Sequence, residues 1–148
     1  MDIKIIKAKT NHIKDVSHLF NLYRQFYKYK SDLKSSTNYI KKRITNKDST
    51  IFICFIESNS AGFIQLYETF DSLNVNKKLI LYDLYVEKKF RRLGIGRKLM
   101  LQAKKYAIKK KINIIELSTA INNKKAQALY ESLDYKRDRE YYNYYLEI

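Results

Sequence analysis

LYDLYVEKKFRRLGIGRKLM, residues 81–100, is the stretch on which the fold turns. An apolar run ends at Val86, a basic loop follows, and Gly94-Ile95-Gly96 opens a segment with helical spacing. From Gly94 to Lys111, Ile95, Leu99, Ala103, Tyr106 and Ala107 line one face, and Lys98, Lys104, Lys105 and Lys109 lie largely off it. The first N–H groups of a helix have no partner within it and sit at the positive end of its dipole. Glycines there let the backbone come close to a phosphate, so this order of strand, basic loop, Gly-x-Gly and helix predicts an anion cradle. Arg91, Arg92, Arg97 and Lys98 add positive charge around it. Two common phosphate motifs are excluded. Leu99 stands where a dinucleotide fingerprint needs its third glycine, and Gly96 is followed by Arg97-Lys98-Leu99 rather than by Lys-Ser/Thr.

Upstream, residues 2–9 alternate charged and apolar and predict a half-buried strand. Thr10 and Asn11 are cap candidates for a helix carrying Ile13, Val16, Leu19, Phe20, Tyr23 and Tyr27 at helical spacing. A second helix is predicted over 36–46. IFICFIE (51–57) and AGFIQLYETF (61–70) read as a hairpin turning at Asn59, Ser60 and Gly62, and KLILYDLYV (78–86) as a central strand. Downstream, INIIELST (112–119) predicts a strand, and Asn122 or Asn123 caps a helix with Ala126, Leu129, Tyr130 and Leu133 inward. The tyrosine-rich end, YKRDREYYNYYLEI, predicts one or two more strands. The order βααβββαβαβ(β) describes an α/β fold with a mixed sheet, and neither a repeat nor a boundary interrupts a single domain over 1–148.

Composition bounds the rest. With 148 residues, 45% of them hydrophobic, the chain can bury a core. Lys and Arg number 30 against 15 Asp and Glu, for a formal charge of +15. That balance invites an anionic ligand or nucleic acid. Lys, Ile, Asn and Tyr, all abundant here, also share A/T-rich codons, so genome composition competes as the cause. The basic residues are spread along the chain without a helix-turn-helix, zinc-finger or RNA-binding signature, so a nucleic-acid-binding module is the weaker alternative. The lone Cys54 excludes an internal disulfide and a cysteine-based zinc site, and it reads as a small buried residue. His12 and His18 are six residues apart, wrong for a helical metal pair, so no metal is expected. No apolar run reaches the roughly 20 residues of a membrane helix, and residues 1–10 lack a signal-peptide core, so the expectation is a cytoplasmic protein with no membrane partner.

Arg91-Arg92-Leu93-Gly94-Ile95-Gly96 resembles the R/Q-x-x-G-x-G/A signature of the GNAT superfamily of N-acetyltransferases. TAINNKKAQALYESLDY (119–135) resembles that family's N-x-x-A-x-x-L-Y-x-x-x-G-F/Y element. The overall pattern, including YRQFY and DLYVE, is most similar to the branch grouped with histone- and polyamine-type acetyltransferases. The resemblance implies acetyl-coenzyme A as co-substrate and a small-molecule or protein amine as acceptor, with direct attack and no covalent enzyme intermediate. It also implies a frequent homodimer, which the tyrosine-rich strand at 141–146 would complete. A coenzyme A sensor of the same fold is the alternative.

By the same resemblance, Leu84, Tyr85 and Val86 hold the pantetheine arm and the thioester, and the loop from Arg91 through Arg92, Leu93, Gly94, Ile95 and Gly96 to Arg97 holds the pyrophosphate. Asn123 serves the cofactor arm, and Tyr130 serves the departing thiolate. These last two are seven residues apart and so share a helix face. Asp83 is the nearest acidic candidate for general base, acting through a water; a purely structural carboxylate fits that position equally well. Polyamine-type relatives often carry a second acid just before it, where this chain has Tyr82. Other branches place a Glu earlier on the strand, where it has Leu79, Ile80 and Leu81. Asp134-Tyr135 replaces the family's G-F/Y turn, which aspartate can preserve because it tolerates the left-handed region. Tyr23, Phe26 and Tyr27 fit core packing first and an acceptor pocket second. The +15 charge disfavours a polycationic acceptor, a bias that a local acidic patch of Asp71, Glu68 and Asp83 could offset.

Overall fold

The computed structural model describes residues 1–148. The chain divides into two compact units, Met1–Ser118 and Thr119–Ile148. In the first, alternating residues make β1 (Ile3–Lys7), which pairs antiparallel with β2 (Thr50–Ile56). β2 turns into β3 (Asn59–Asp71) through Glu57 and Ser58, with Glu57 at φ +54°. This two-residue turn lies ahead of the expected one, because Asn59 already pairs with Ile56 and leaves Gly62 inside the strand. β4 (Asn76–Val86) is antiparallel to β3, and β5 (Ile115–Leu117) is parallel to β4. The sheet order is β1-β2-β3-β4-β5.

Helices α1 (Ile13–Phe26) and α2 (Leu33–Asn46) cover one face. There Val16, Leu19, Phe20 and Ile40 pack on Ile51, Ile53 and Phe63, all 9% exposed or less. Neither Thr10 nor Asn11 caps α1. They form a 3₁₀ turn with His12, whose Nδ1 accepts from the Lys9 N–H at 3.0 Å. α2 begins three residues before its expected start, because Asp32 caps it by accepting from the Ser35 N–H at 3.0 Å. Helix α3 (Ile95–Lys109) covers the other face with Ile95, Leu99, Met100, Ala103 and Ala107. Its Tyr106 ring stacks edgewise on Phe52 at 5.7 Å. Gly62 lets α3 and β4 close in, since a Cβ there would meet the Tyr85 carbonyl oxygen at 2.7 Å and Ile95 Cγ2 at 3.4 Å.

One irregularity governs the site. Gln65 pairs with Asp83 and Leu66 with Leu81, so Tyr82 is an extra residue in β4. Strict alternation would put Asp83 on the α3 face with Leu81. The bulge turns it to the α1 and α2 face, which Phe63 and Gln65 share.

The second unit contains α4 (Lys124–Ser132). The order therefore runs as read through α4, but the strands expected near the end do not form: residues 135–148 join no ladder. A strand exists only with a partner, and Tyr142, Tyr144 and Tyr145 are instead 90–91% exposed. β5 is also shorter than the predicted 112–119, because β4 offers it a partner only over Leu79–Leu81.

Candidate active site

The loop after β4 is built as an anion cradle. Arg92 at φ +65° and Gly94 at φ +74° both take the left-handed conformation, and Gly94 is the N-cap of α3. The first intrahelical bond is Lys98 N–H to the Gly94 carbonyl, 3.1 Å. The N–H groups of Ile95, Gly96 and Arg97 therefore precede the helical ladder, and neither a capping side chain nor an acid in the first turn competes for them. Space around Gly94 is open, with no atom within 4 Å of where its Cβ would stand. These features fit a pyrophosphate. Arg91 is used differently from its neighbours. Its Nε donates to the Val86 carbonyl at 2.9 Å and its guanidinium lies over Tyr85 (5.6 Å) and Phe26 (5.8 Å), pinning the loop to β4 and α1. Arg92, Leu93 and Arg97 are exposed beside the cradle, and Ile95 is buried beneath it.

Leu84, Tyr85 and Val86 pair with Ile64, Phe63 and Gly62 on one side. On the other side β5 stops at Leu81, so beyond the bulge that edge of β4 has no neighbouring strand. Apart from the Val86 carbonyl, which accepts from Arg91, its outward backbone groups have no strand to pair with, which suits an extended ligand arm.

Asp83 is 4% exposed, and its Oδ2 accepts from Gln65 Nε2 at 2.6 Å. Burial raises its pKa above the usual carboxylate range, while hydrogen bonds from Gln65 and Tyr23 pull the other way. It lines a cavity of about 500 Å³ with Tyr23, Tyr27, Tyr67, Tyr82 and Arg24. The Tyr23 hydroxyl reaches the Tyr82 carbonyl at 3.3 Å, and the Tyr39 and Tyr67 hydroxyls lie 2.6 Å apart. Burial and then the Asp83 charge raise the Tyr27 pKa, and burial with the Tyr39 hydrogen bond raises that of Tyr67. These phenols stay protonated around a carboxylate, an environment suited to an ammonium ion.

Tyr23 and Tyr27 thus line the pocket, and Tyr23 also packs at 6.1 Å on Phe63. The acidic patch does not assemble. Glu68 lies three residues from Gln65, hence on the opposite face, and pairs with Lys77 at 3.1 Å. Asp71 is spent on the β3–β4 turn, accepting from Asn74 Nδ2 at 2.7 Å. Sequence reasoning missed Gln65, Tyr39 and Tyr67. Gln65 had a signal, since it is the one side chain in GFIQL that cannot lie in an apolar core without a polar partner.

In the second unit, the Asn123 side chain caps α4 by accepting from the Ala126 N–H at 3.3 Å. Tyr130 lies seven residues on along the same helix face. The helix ends in a Schellman turn: Tyr135 N–H bonds the Tyr130 carbonyl at 3.1 Å and Asp134 N–H that of Glu131 at 3.1 Å, with Asp134 at φ +67°. Aspartate does take the conformation expected of it. No three metal-ligating side chains come together, and no helix is long and apolar enough to cross a membrane.

Comparison with known proteins agrees with this architecture. An uncharacterized N-acetyltransferase of Bacillus subtilis (strain 168) is 36% identical over 99% of this chain and 98% of its own. A thialysine N-epsilon-acetyltransferase of Caenorhabditis elegans is 30% identical over 90% and 83% of the two chains. The crystal structure of a "probable acetyltransferase" superposes with a TM-score of 0.93 at 34% identity, covering 98% and 97% of the two chains. An aminoglycoside N-acetyltransferase in complex with CoA shares the fold at a TM-score of 0.84 and 14% identity. The Acetyltransferase (GNAT) family profile matches residues 16–135, and with these relatives it makes the chain an acyltransferase enzyme of the GNAT family.

Proposed function

We propose that this enzyme transfers an acetyl group from acetyl-coenzyme A to a primary amine by direct attack of the amine nitrogen on the thioester carbon. The observation that carries the reading is Asp83, a buried carboxylate in a tyrosine-lined cavity, immediately before the open-edged segment Leu84–Val86. The N–H groups of Ile95, Gly96 and Arg97 would hold the pyrophosphate, with Arg92, Leu93 and Gly94 shaping the turn and Arg91 anchoring it. The outward backbone of Leu84, Tyr85 and Val86 would hold the pantetheine arm.

Attack needs a neutral amine, so a proton must leave the acceptor first. Asp83 accepts it, directly or through a water, and its raised pKa makes it a better base than an exposed carboxylate. The nitrogen lone pair then forms the amide bond as the C–S bond breaks and the electron pair leaves on sulfur, and the nitrogen gives up its second proton, which ends on that sulfur. Tyr130 supplies a hydroxyl to the developing thiolate. A thiol titrates near ~8.5 and a phenol near ~10, so complete transfer is uphill by about 2 kcal/mol and stabilisation is the larger part of its role. Asn123 assists the cofactor arm and caps its helix. The roles of Tyr130 and Asn123 rest on their motif. The family profile matches residues 16–135 and so includes parts of both units, which supports reading the chain as one GNAT domain.

Calorimetric titration with acetyl-coenzyme A, followed by thiol release with a panel of amines, tests this reading. Binding with turnover of at least one amine is expected. Binding without turnover of any amine would make the protein a coenzyme A sensor, and binding of DNA alone would make it a nucleic-acid module.

A further inference from the structure

Building on the reading of Asp83 as the base, the geometry points to Ser49 as a positioning residue for that carboxylate, acting through Gln65 from outside the cavity. Gln65 is fully buried, and its side chain has a partner at each end. At one end Nε2 donates to Asp83 Oδ2 at 2.6 Å, and at the other the Ser49 hydroxyl donates to Oε1 at 2.9 Å. Ser49 is half-buried and takes no part in the cavity wall. Its place is fixed by both chain neighbours. Asp48 pairs with Arg43 at 2.9 Å, and Thr50 opens β2 and bonds the Tyr106 hydroxyl at 3.0 Å.

An ionised carboxylate only accepts, so the Nε2 end of the amide must face Asp83 and the Oε1 end must take its donor from elsewhere. Ser49 supplies that donor. The Ser49 O–H and the Gln65 amide then line up head to tail, positive ends toward the carboxylate, and each bond strengthens the next. Loss of the hydroxyl leaves a buried acceptor without its donor and weakens the amide's hold on the ionised form of Asp83. The titratable or charged groups facing Asp83 are Tyr23, Arg24 and Tyr27 from α1, Tyr39 with Arg43 behind it from α2, Tyr67 from β3, and Tyr82 beside it. Ser49 is uncharged, and its substitution leaves all of these in place.

Two readouts test this. One is the pH titration of the Asp83 carboxyl carbon by NMR in the cofactor-free chain, assigned with Asp83→Asn. The other is the kcat/KM profile against pH for the amine that the wild type turns over fastest in the thiol-release panel. In Ser49→Ala both midpoints should rise by about half a pH unit, since two or three hydrogen bonds together lower a carboxylate by about two units. Ser49→Thr retains a hydroxyl and should keep both at the wild-type value. Ser49→Cys, close to serine in shape but a weaker donor, should fall between. In a Gln65→Met background Ser49→Ala should shift neither midpoint, because the link is gone. Midpoints unmoved in Ser49→Ala and Ser49→Cys, or moved as far without Gln65 as with it, would overturn this inference and leave Asp83 as the base. Turnover retained in Asp83→Asn would overturn the base reading, and the part of Ser49 in catalysis with it.

Discussion

Asp83 sits between two opposed influences, and each has a measurable sign. Burial raises its pKa, and the Gln65 and Tyr23 hydrogen bonds lower it. As a base it works above its pKa, so kcat/KM should rise with pH on an acidic limb displaced above the ordinary carboxylate value. Gln65→Met removes one of the lowering bonds, so that limb should move further up in pH, as a rate profile would register. Stability runs the other way. A carboxyl whose folded pKa is raised contributes most below its unfolded pKa of about 3.9, and that contribution is lost as pH rises through the folded value. Asp83→Asn should therefore abolish turnover while holding or raising the melting temperature at neutral pH; a clear loss of stability would make Asp83 a structural carboxylate instead. Tyr130→Phe keeps the ring and should leave acetyl-coenzyme A affinity nearly intact, with turnover about a hundredfold lower, on the order of 3 kcal/mol. Asn123→Ala should differ in kind, weakening cofactor binding and destabilising α4 by about 1 kcal/mol through its cap. Unchanged turnover in Tyr130→Phe would reduce that tyrosine to packing.

Among the elements, the start of α3 and the bulge of β4 show what a sequence does and does not disclose. Gly-x-Gly after a basic loop was legible because the left-handed N-cap and the three N–H groups ahead of the ladder are local consequences of residue type. The direction of Asp83 was not. It depends on Tyr82 being skipped in a pairing with β3, and pairing across some twenty residues leaves no periodic trace. The same reason accounts for the missing last strand: alternating tyrosines specify a strand only if an edge accepts them. The acidic patch failed because spacing along a strand fixes the face, and Glu68 has the wrong parity. Two glycine substitutions separate local from distant effects. Gly94→Asn keeps the left-handed conformation that asparagine tolerates, and its Cβ enters the open space of the cradle, so acetyl-coenzyme A affinity should fall tenfold or more with little change in apo melting. Gly62→Ala drives a Cβ to 2.7 Å from the Tyr85 carbonyl oxygen and should cost about 1–3 kcal/mol in a thermal melt.

For the whole molecule, charge and exposed tyrosines give expectations that no single site does. Tyr141, Tyr142, Tyr144, Tyr145 and Leu146 are each at least 70% exposed, and the homodimer that the family resemblance implies would cover them. Sedimentation at micromolar concentration should then show about twice the 17.8 kDa chain mass, reverting to monomer when residues 139–148 are deleted. A persistent monomer would remove the homodimer. The +15 charge bears on the cofactor, whose pyrophosphate and 3′-phosphate are strongly anionic. Arg92, Arg97 and Lys98 are exposed beside the cradle, where screening acts over about 8 Å at physiological ionic strength. The contribution of these side chains should fade with salt, whereas the N–H groups at the helix start bind at contact distance and fade less. A ligand that binds only the folded state at a hundred times its Kd stabilises it by about 2.7 kcal/mol, roughly 5–10 °C for a chain of this size. Saturating acetyl-coenzyme A should produce a shift of that order at 50 mM NaCl. At the same ligand concentration in 500 mM NaCl the shift should be smaller but not zero. Complete loss at high salt would reduce binding to diffuse attraction by a basic surface, and a shift indifferent to salt would leave those three cations no part in it.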